Sequence, residues 1–198
     1  MKYISSYWEE EINKIKAFFE SNPTAKYWDC PQICHGMISG GIVHTIMIQA
    51  VHIIRWQQQT GNVIQNINGF VELGGGTGNM ARNVRAVNKS PYTIIDIPEI
   101  HKIQQWVNKG EDFLYYDTER LDDFTTNAEM FISCFALNET SPACIEKVLD
   151  TNFFGCKHVL VVYGRDYPAP FCFDKYAEKA RSLGAHWTLD DIEHYIFR

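Results

Sequence analysis

Gly69-Phe70-Val71-Glu72-Leu73-Gly74-Gly75-Gly76-Thr77-Gly78 is the stretch that decides the fold. Its first half is short, apolar apart from Glu72, and reads as a buried strand. Its second half places glycines at alternate positions directly after the strand. Without Cβ atoms, that backbone can bend sharply and lie close to a ligand. A helix from about Asn79 to Val87 should follow, with unpaired N–H groups in its first turn. In an open α/β sheet, ligands settle beyond the carboxyl ends of the strands, so this bend is where a ligand crevice is expected.

Downstream of the bend, strands and helices alternate. Tyr92–Asp96 reads as a second strand, and Pro98 sits where proline is favoured, at the first position of a helix. Phe113–Tyr116, Glu129–Cys134 and His158–Tyr163 are further strands, and Pro142 opens a helix reaching about Asp150. A helix near Asp174–Leu183 leads to two short strands, around Trp187 and over His194–Phe197. Strands separated by helices imply a parallel sheet covered on both faces. The two closing strands lack a helix between them and must form a hairpin, which makes the last one antiparallel. The expectation is an α/β, Rossmann-like, doubly wound sheet of seven strands, mostly parallel, with an antiparallel last strand.

Upstream, Ser6-Tyr7-Trp8-Glu9 has capping-box spacing, and Trp8, Ile12, Ile15 and Phe19 recur at helical intervals. This helix should stop near Asn22-Pro23. A loop follows to Gly40-Gly41, then a second helix from Ile42 to about Gln58, with Ile42, Ile46, Ala50 and Ile54 on one face and His44, His52 and Arg55 elsewhere. Residues 1–60 are read as an N-terminal helical lid and residues 61–198 as one compact core. The 198 residues suffice for a single α/β domain.

Two adenosine-bearing ligands compete for the bend. A dinucleotide fingerprint needs Gly-x-Gly-x-x-Gly, and Asn79 or Ala81 stands where the third glycine would fall. The spacing argues instead for S-adenosylmethionine. Asp96 ends the second strand, 22 residues after Gly74, where its carboxylate could accept hydrogen bonds from both ribose hydroxyls. It could also cap the helix beginning at Pro98. Glu72 could face the amino group of the methionine moiety. Asp117, beyond the third strand, could reach the adenine amino group or stand as a solvated loop acid.

These residues resemble the class I methyltransferases, and within them the chain looks like the sugar O-methyltransferases. The likeness rests on four stretches. Val71–Gly78 resembles the family's first motif. Ile94-Ile95-Asp96-Ile97-Pro98-Glu99 resembles its acidic strand end. Phe135-Ala136-Leu137-Asn138-Glu139-Thr140 resembles the segment after its fourth strand, and Ser6-Tyr7-Trp8 the start of its helical lid. The resemblance implies a donor site of Glu72, Gly74, Gly75, Gly76, Gly78, Asp96, Ile97, Asp117 and Asn138, with S-adenosyl-L-methionine as cofactor.

Methyl transfer to a hydroxyl is an in-line displacement, so positioning supplies much of the rate, and a general base helps take the proton. Glu139, His101 and His35 are the candidate bases. Each has a plain alternative: Glu139 as a favourable charge at a helix start, the histidines as structural or solvated groups. Arg165 and Asp166, after the fifth strand, could bind a polar substrate or pair on the surface. Asp122-Asp123 and Asp190-Asp191 are adjacent acids that point apart on a strand, and no metal is expected.

The formal charge of −6 and the absence of a Lys/Arg run speak against a nucleic-acid partner. Neither Asn-Pro-Pro-Tyr nor Pro-Cys-Gln, the signatures sought in DNA-base methyltransferases, occurs. A small-molecule acceptor, a sugar or related metabolite, is expected. The cysteines, Cys30, Cys34, Cys134, Cys144, Cys156 and Cys172, are scattered and fit reduced, buried thiols better than a disulfide framework. No signal peptide or apolar run of membrane-spanning length is visible, so a cytoplasmic protein without membrane attachment is expected. Two other functions stay open: a catalytically silent protein that binds the donor, and a nicotinamide-dependent oxidoreductase.

Overall fold

The computed structural model describes residues 42–164, 178–179, 181–184, 186–189 and 193–198. Helix α1 (Ile42–Thr60) precedes a strand β1 (Phe70–Leu73), the glycine bend and helix α2 (Asn79–Val87). Strand β2 (Tyr92–Asp96), helix α3 (Pro98–Val107) and strand β3 (Leu114–Asp117) follow. Then come β4 (Met130–Cys134), α4 (Pro142–Asp150), β5 (His158–Gly164), β6 (His186–Leu189) and β7 (Glu193–Phe197). Both prolines open their helices as expected, and Ser141 caps α4 by accepting a hydrogen bond from the Cys144 amide.

The strands lie in the order β3-β2-β1-β4-β5-β7-β6. β1 pairs in parallel with both β2 and β4, and β7 runs antiparallel to both β5 and β6. The closing hairpin therefore inserts its second strand next to β5. The chain runs outward from β1 to β3, then returns to the other side of β1 with β4. That reversal is the topological switch point, and it lies at the glycine bend.

Alternation along the strands builds two cores. Val71, Leu73, Phe131, Val159 and Val161 face α4, with Ile145, Val148 and Leu149 against them. Phe70, Ile94, Met130, Ile132, Leu160 and Val162 face the other way, onto Ile53 and Trp56 of α1 and Met80, Ala81 and Val84 of α2. Glu72 falls on this second face, between Phe70 and the bend. Cys134, Cys144 and Cys156 are free thiols, and Cys30, Cys34 and Cys172 lie outside the described residues.

Of the expected face of α1, Ala50 is buried, and other residues join it. Val51, His52, Ile53 and Trp56 are buried, whereas Ile54 is only half-buried. His52 can turn inward because Tyr195 of β7 meets it there, with hydroxyl and Nδ1 3.0 Å apart. Arg55 donates to the same hydroxyl at 2.6 Å. A polar side chain with a partner is tolerated on a buried helix face, which a hydrophobicity pattern does not anticipate. Among the described residues, no helix is long and apolar enough to cross a membrane. The expected lid helix over Ser6–Phe19 lies outside the described residues.

Candidate functional site

The bend after β1 is held from three sides. The Gly74 amide donates to the Ile95 carbonyl at 2.8 Å, carrying the β1–β2 pairing one step past the strand. On the β4 side, Ala136 packs so tightly that a Cβ on Gly74 would lie 1.9 Å from the Ala136 Cβ. From α3, Gln104 donates to the Gly76 carbonyl at 2.9 Å, and Asn108 to the Thr77 carbonyl at 3.3 Å. Gly76 itself has a φ of +55° and no heavy atom within 4 Å of where a Cβ would stand. The middle of the bend is thus fixed by its carbonyl while its outer side is open.

Asp96 sits beside this opening. One carboxylate oxygen accepts from the Gly76 amide at 3.3 Å and from Gln104 at 2.8 Å. The other accepts from the Ile97 amide at 2.9 Å. Asp96 therefore does not cap the helix at Pro98, whose N-cap is Ile97 without a side-chain hydrogen bond; its carboxylate is turned to the glycine bend instead. The carboxylate is half-exposed, which leaves room for further donors. Next to it, Ile97 is 48 % exposed, an apolar side chain left in solvent at the mouth of the crevice.

Glu72 lies under the bend rather than at its mouth. Its carboxyl is buried and accepts a hydrogen bond from the Tyr92 hydroxyl at 3.0 Å. A Cβ on Gly75 would come within 3.2 Å of it. Burial pushes this carboxyl up to about 8, and the neighbouring charge of Asp96 adds to the rise, against the Tyr92 hydrogen bond. Burial thus favours the neutral form of Glu72 in this arrangement.

Asp117 ends β3 in register with Asp96. One of its oxygens lies 3.0 Å from Nδ1 of His101 on α3. The His101 ring is buried edge-on against Tyr115, and its Nε2 has no hydrogen-bond partner. The pair ties the end of β3 to α3. Glu139 is exposed on the short 3-10 turn Leu137–Glu139 that follows β4, and Asn138 lies on the same turn. The structure thus brings Glu72, Gly74, Gly75, Gly76, Gly78, Asp96 and Ile97 together, and places Asp117 one strand further out. His35, Arg165 and Asp166 lie outside the described residues.

Gln104 is the residue that sequence reasoning missed. It is fully buried and clamps Asp96 and Gly76 at once. Its signal was present: His101, Gln104 and Asn108 form a polar stripe at helical spacing on α3, opposite Ile103 and Trp106, which the structure leaves exposed.

These features fit an adenosyl ligand. A side-chain-free backbone opens on solvent, a carboxylate stands beside it, and an apolar residue flanks them. The chain shares its fold with solved methyltransferases. Human N-acetylserotonin methyltransferase, solved in complex with S-adenosylmethionine, is 15% identical with a TM-score of 0.56, over 77% of this chain and 52% of that one. The N,N-8-amino-8-demethyl-D-riboflavin dimethyltransferase of Streptomyces davawensis is 13% identical with a TM-score of 0.55, over 84% and 58%. A family 2 O-methyltransferase from Planctomyces limnophilus, in complex with apigenin, is 12% identical with a TM-score of 0.50, over 78% and 59%. This chain spans between half and three fifths of the length of these three proteins. No family model matches the sequence, and no curated protein matches it.

Proposed function

We propose that the protein is an S-adenosylmethionine-dependent methyltransferase acting on a hydroxyl of a small molecule, a sugar or related metabolite. The observation that carries this reading is the junction of Gly76 and Asp96. An open left-handed glycine meets a half-exposed carboxylate at the switch point of the sheet. In this reading Asp96 takes the two ribose hydroxyls and Gln104 holds it in place. The main chain of Gly74–Gly78 lies along the donor, Ile97 covers the adenine, and Asp117 and Asn138 complete that end.

When bound, the donor supplies an electrophilic methyl group on a positively charged sulfur. A hydroxyl acceptor would also need a base of this chain to take its proton. Glu139 is the best-placed candidate for that base, because it is exposed on the turn after β4, across the switch point from Asp96. His101 is spoken for by Asp117 and is buried, so it serves better as a wall of the donor site. His35, Arg165 and Asp166 remain assigned to the acceptor side. The acidic net charge favours a small acceptor over a polyanion, and the sugar class rests on the sequence resemblance.

Isothermal titration of the full chain with S-adenosylhomocysteine tests the donor site. Wild-type protein should bind, and Asp96→Ala should weaken binding at least about tenfold, because both ribose hydroxyls lose their charged acceptor. Wild-type protein that binds neither donor nor product would overturn the reading. A protein that binds both but turns over no acceptor in a panel of sugars and phenols would be the silent binding protein instead.

A further inference from the structure

Phe135 is a described residue whose backbone and chemistry fit poorly. It follows β4 directly and has a φ of +64°, a conformation costly for a bulky aromatic residue. The fold asks only for the turn, which glycine or asparagine would make with less strain. The position is well fixed. The Phe135 amide donates to the Val162 carbonyl at 2.7 Å, and Ala136 beside it is the residue packed on Gly74. Ser133, just upstream, donates to the Leu73 carbonyl and accepts from the Leu137 amide. The ring is not absorbed into the core: it packs on the edge of the α1-side cluster and stays half-buried.

Its surroundings are also specific. The His52 ring meets Phe135 edge-on, with centroids 5.8 Å apart. Arg55 donates to the Tyr195 hydroxyl, which also lies within hydrogen-bond distance of His52 Nδ1. Burial drives His52 down to about 3, so the His52 ring itself brings no positive charge against Phe135 near neutral pH.

The donor's ribose belongs to Asp96 at the end of β2, so its sulfur end must cross the switch point toward β4, where Phe135 stands. We propose that the Phe135 ring is the face that receives the donor's sulfonium, distinguishing the charged donor from its neutral product. A ring quadrupole attracts a cation held over its face and has no such attraction for a neutral thioether. Transfer of the methyl group removes that attraction and favours release of the product. This inference rests on reading the site as an S-adenosylmethionine site.

The test is titration of the full chain with S-adenosylmethionine and, separately, with S-adenosylhomocysteine. Phe135→Leu should weaken the first about tenfold and leave the second within about twofold. Phe135→Tyr, which keeps a ring, should retain the wild-type ratio. Phe135→Asn accepts the left-handed backbone and guards against misfolding; it should behave like Phe135→Leu. Retained product binding shows in each case that the variant is folded. Equal losses for both ligands, no loss for either, or loss of product binding in both Leu and Asn variants would make Phe135 a scaffold residue and overturn the proposal. If wild-type protein binds neither ligand, the reading of the site fails, whatever Phe135 does.

Discussion

Two left-handed turns lie at opposite ends of the sheet, and they are made in opposite ways. At the carboxyl ends of the strands, Gly74, Gly76 and Gly78 take φ values of +74°, +55° and +83°. At the amino end of β5, Asn152, Phe153, Phe154 and Gly155 take +52°, +54°, +56° and +77°. Three consecutive non-glycine residues in that region cost about 1–2 kcal/mol each. The rings offset the cost: Phe153 and Phe154 are buried, one against Phe131 and the other against Phe124, and each burial is worth about 1.5–3 kcal/mol. Arg198 locks the turn by donating to the Asn152 side chain and the Cys156 carbonyl while stacking over Phe153. The first turn stays free of strain and leaves a space. The second accepts strain and fills one. Positive φ alone therefore does not mark a site; what stands beside it does.

The largest expected effect lies in the filled turn. Phe153→Ala removes a ring with no exposure and should cost about 3–5 kcal/mol in urea unfolding. Affinity for S-adenosylhomocysteine, measured well below the unfolding transition, should stay within about twofold, because that turn is at the far end of the sheet. A large loss of affinity would show that the two turns are coupled and the division false.

A middling effect separates what lies beneath the two turns, aromatic rings under one and an ionisable carboxyl under the other. Glu72 goes from 4.5 to about 8 on folding, so an unfolded chain releases its proton before the folded one does. Stability from this group is whole below pH 4.5 and is lost as pH rises to 8, by about 1.4 kcal/mol per unit. His52 has the opposite sign: lowered from 6.5 to about 3, it contributes fully above pH 6.5 and less as pH falls. The two slopes cancel between pH 4.5 and 6.5, and of these two groups only Glu72 acts from 6.5 to 8. Urea unfolding across that upper window should show wild-type stability falling and Glu72→Gln holding level. Parallel curves for the two proteins would mean that Glu72 is ionised in the folded protein.

The same contrast explains what could be read from the sequence. Asn79–Val87, Tyr92–Asp96 and Pro142–Asp150 were legible to the residue, because proline, glycine and runs of β-formers punctuate them. The closing hairpin was legible because nothing long enough for a crossover separates its strands. The glycine turn announced itself, since only glycine takes such angles freely. Asn152–Gly155 gave no signal: its strain is repaid by contacts from Phe131, Phe124 and Arg198, which are distant in the chain. The inward turn of His52 was hidden for the same reason, its partner Tyr195 lying 143 residues away. In the site, Asp96 was visible by spacing; Gln104 left only a polar stripe on α3, because a glutamine on a helix declares its partner only after α3 has packed against the bend.

The smallest expected change in stability is the sharpest test of the open turn. Gly76→Ala adds one methyl group at a φ of +55°, where alanine loses about 1–2 kcal/mol, and it meets no heavy atom within 4 Å. Gly74→Ala would differ in kind, because there the new Cβ would collide with Ala136. Folding should therefore lose only this backbone cost at Gly76. A ligand lying along the bend should notice it strongly, because the methyl group stands where the main chain must be approached. S-adenosylhomocysteine affinity should fall at least about tenfold while the urea midpoint reflects only that backbone cost. This is the mirror of Phe153→Ala, which removes stability and spares affinity. Unchanged affinity in Gly76→Ala would place the ligand on another side of the bend, and the glycine would then be needed for its angle alone, as the phenylalanines of the other turn show a fold can manage without.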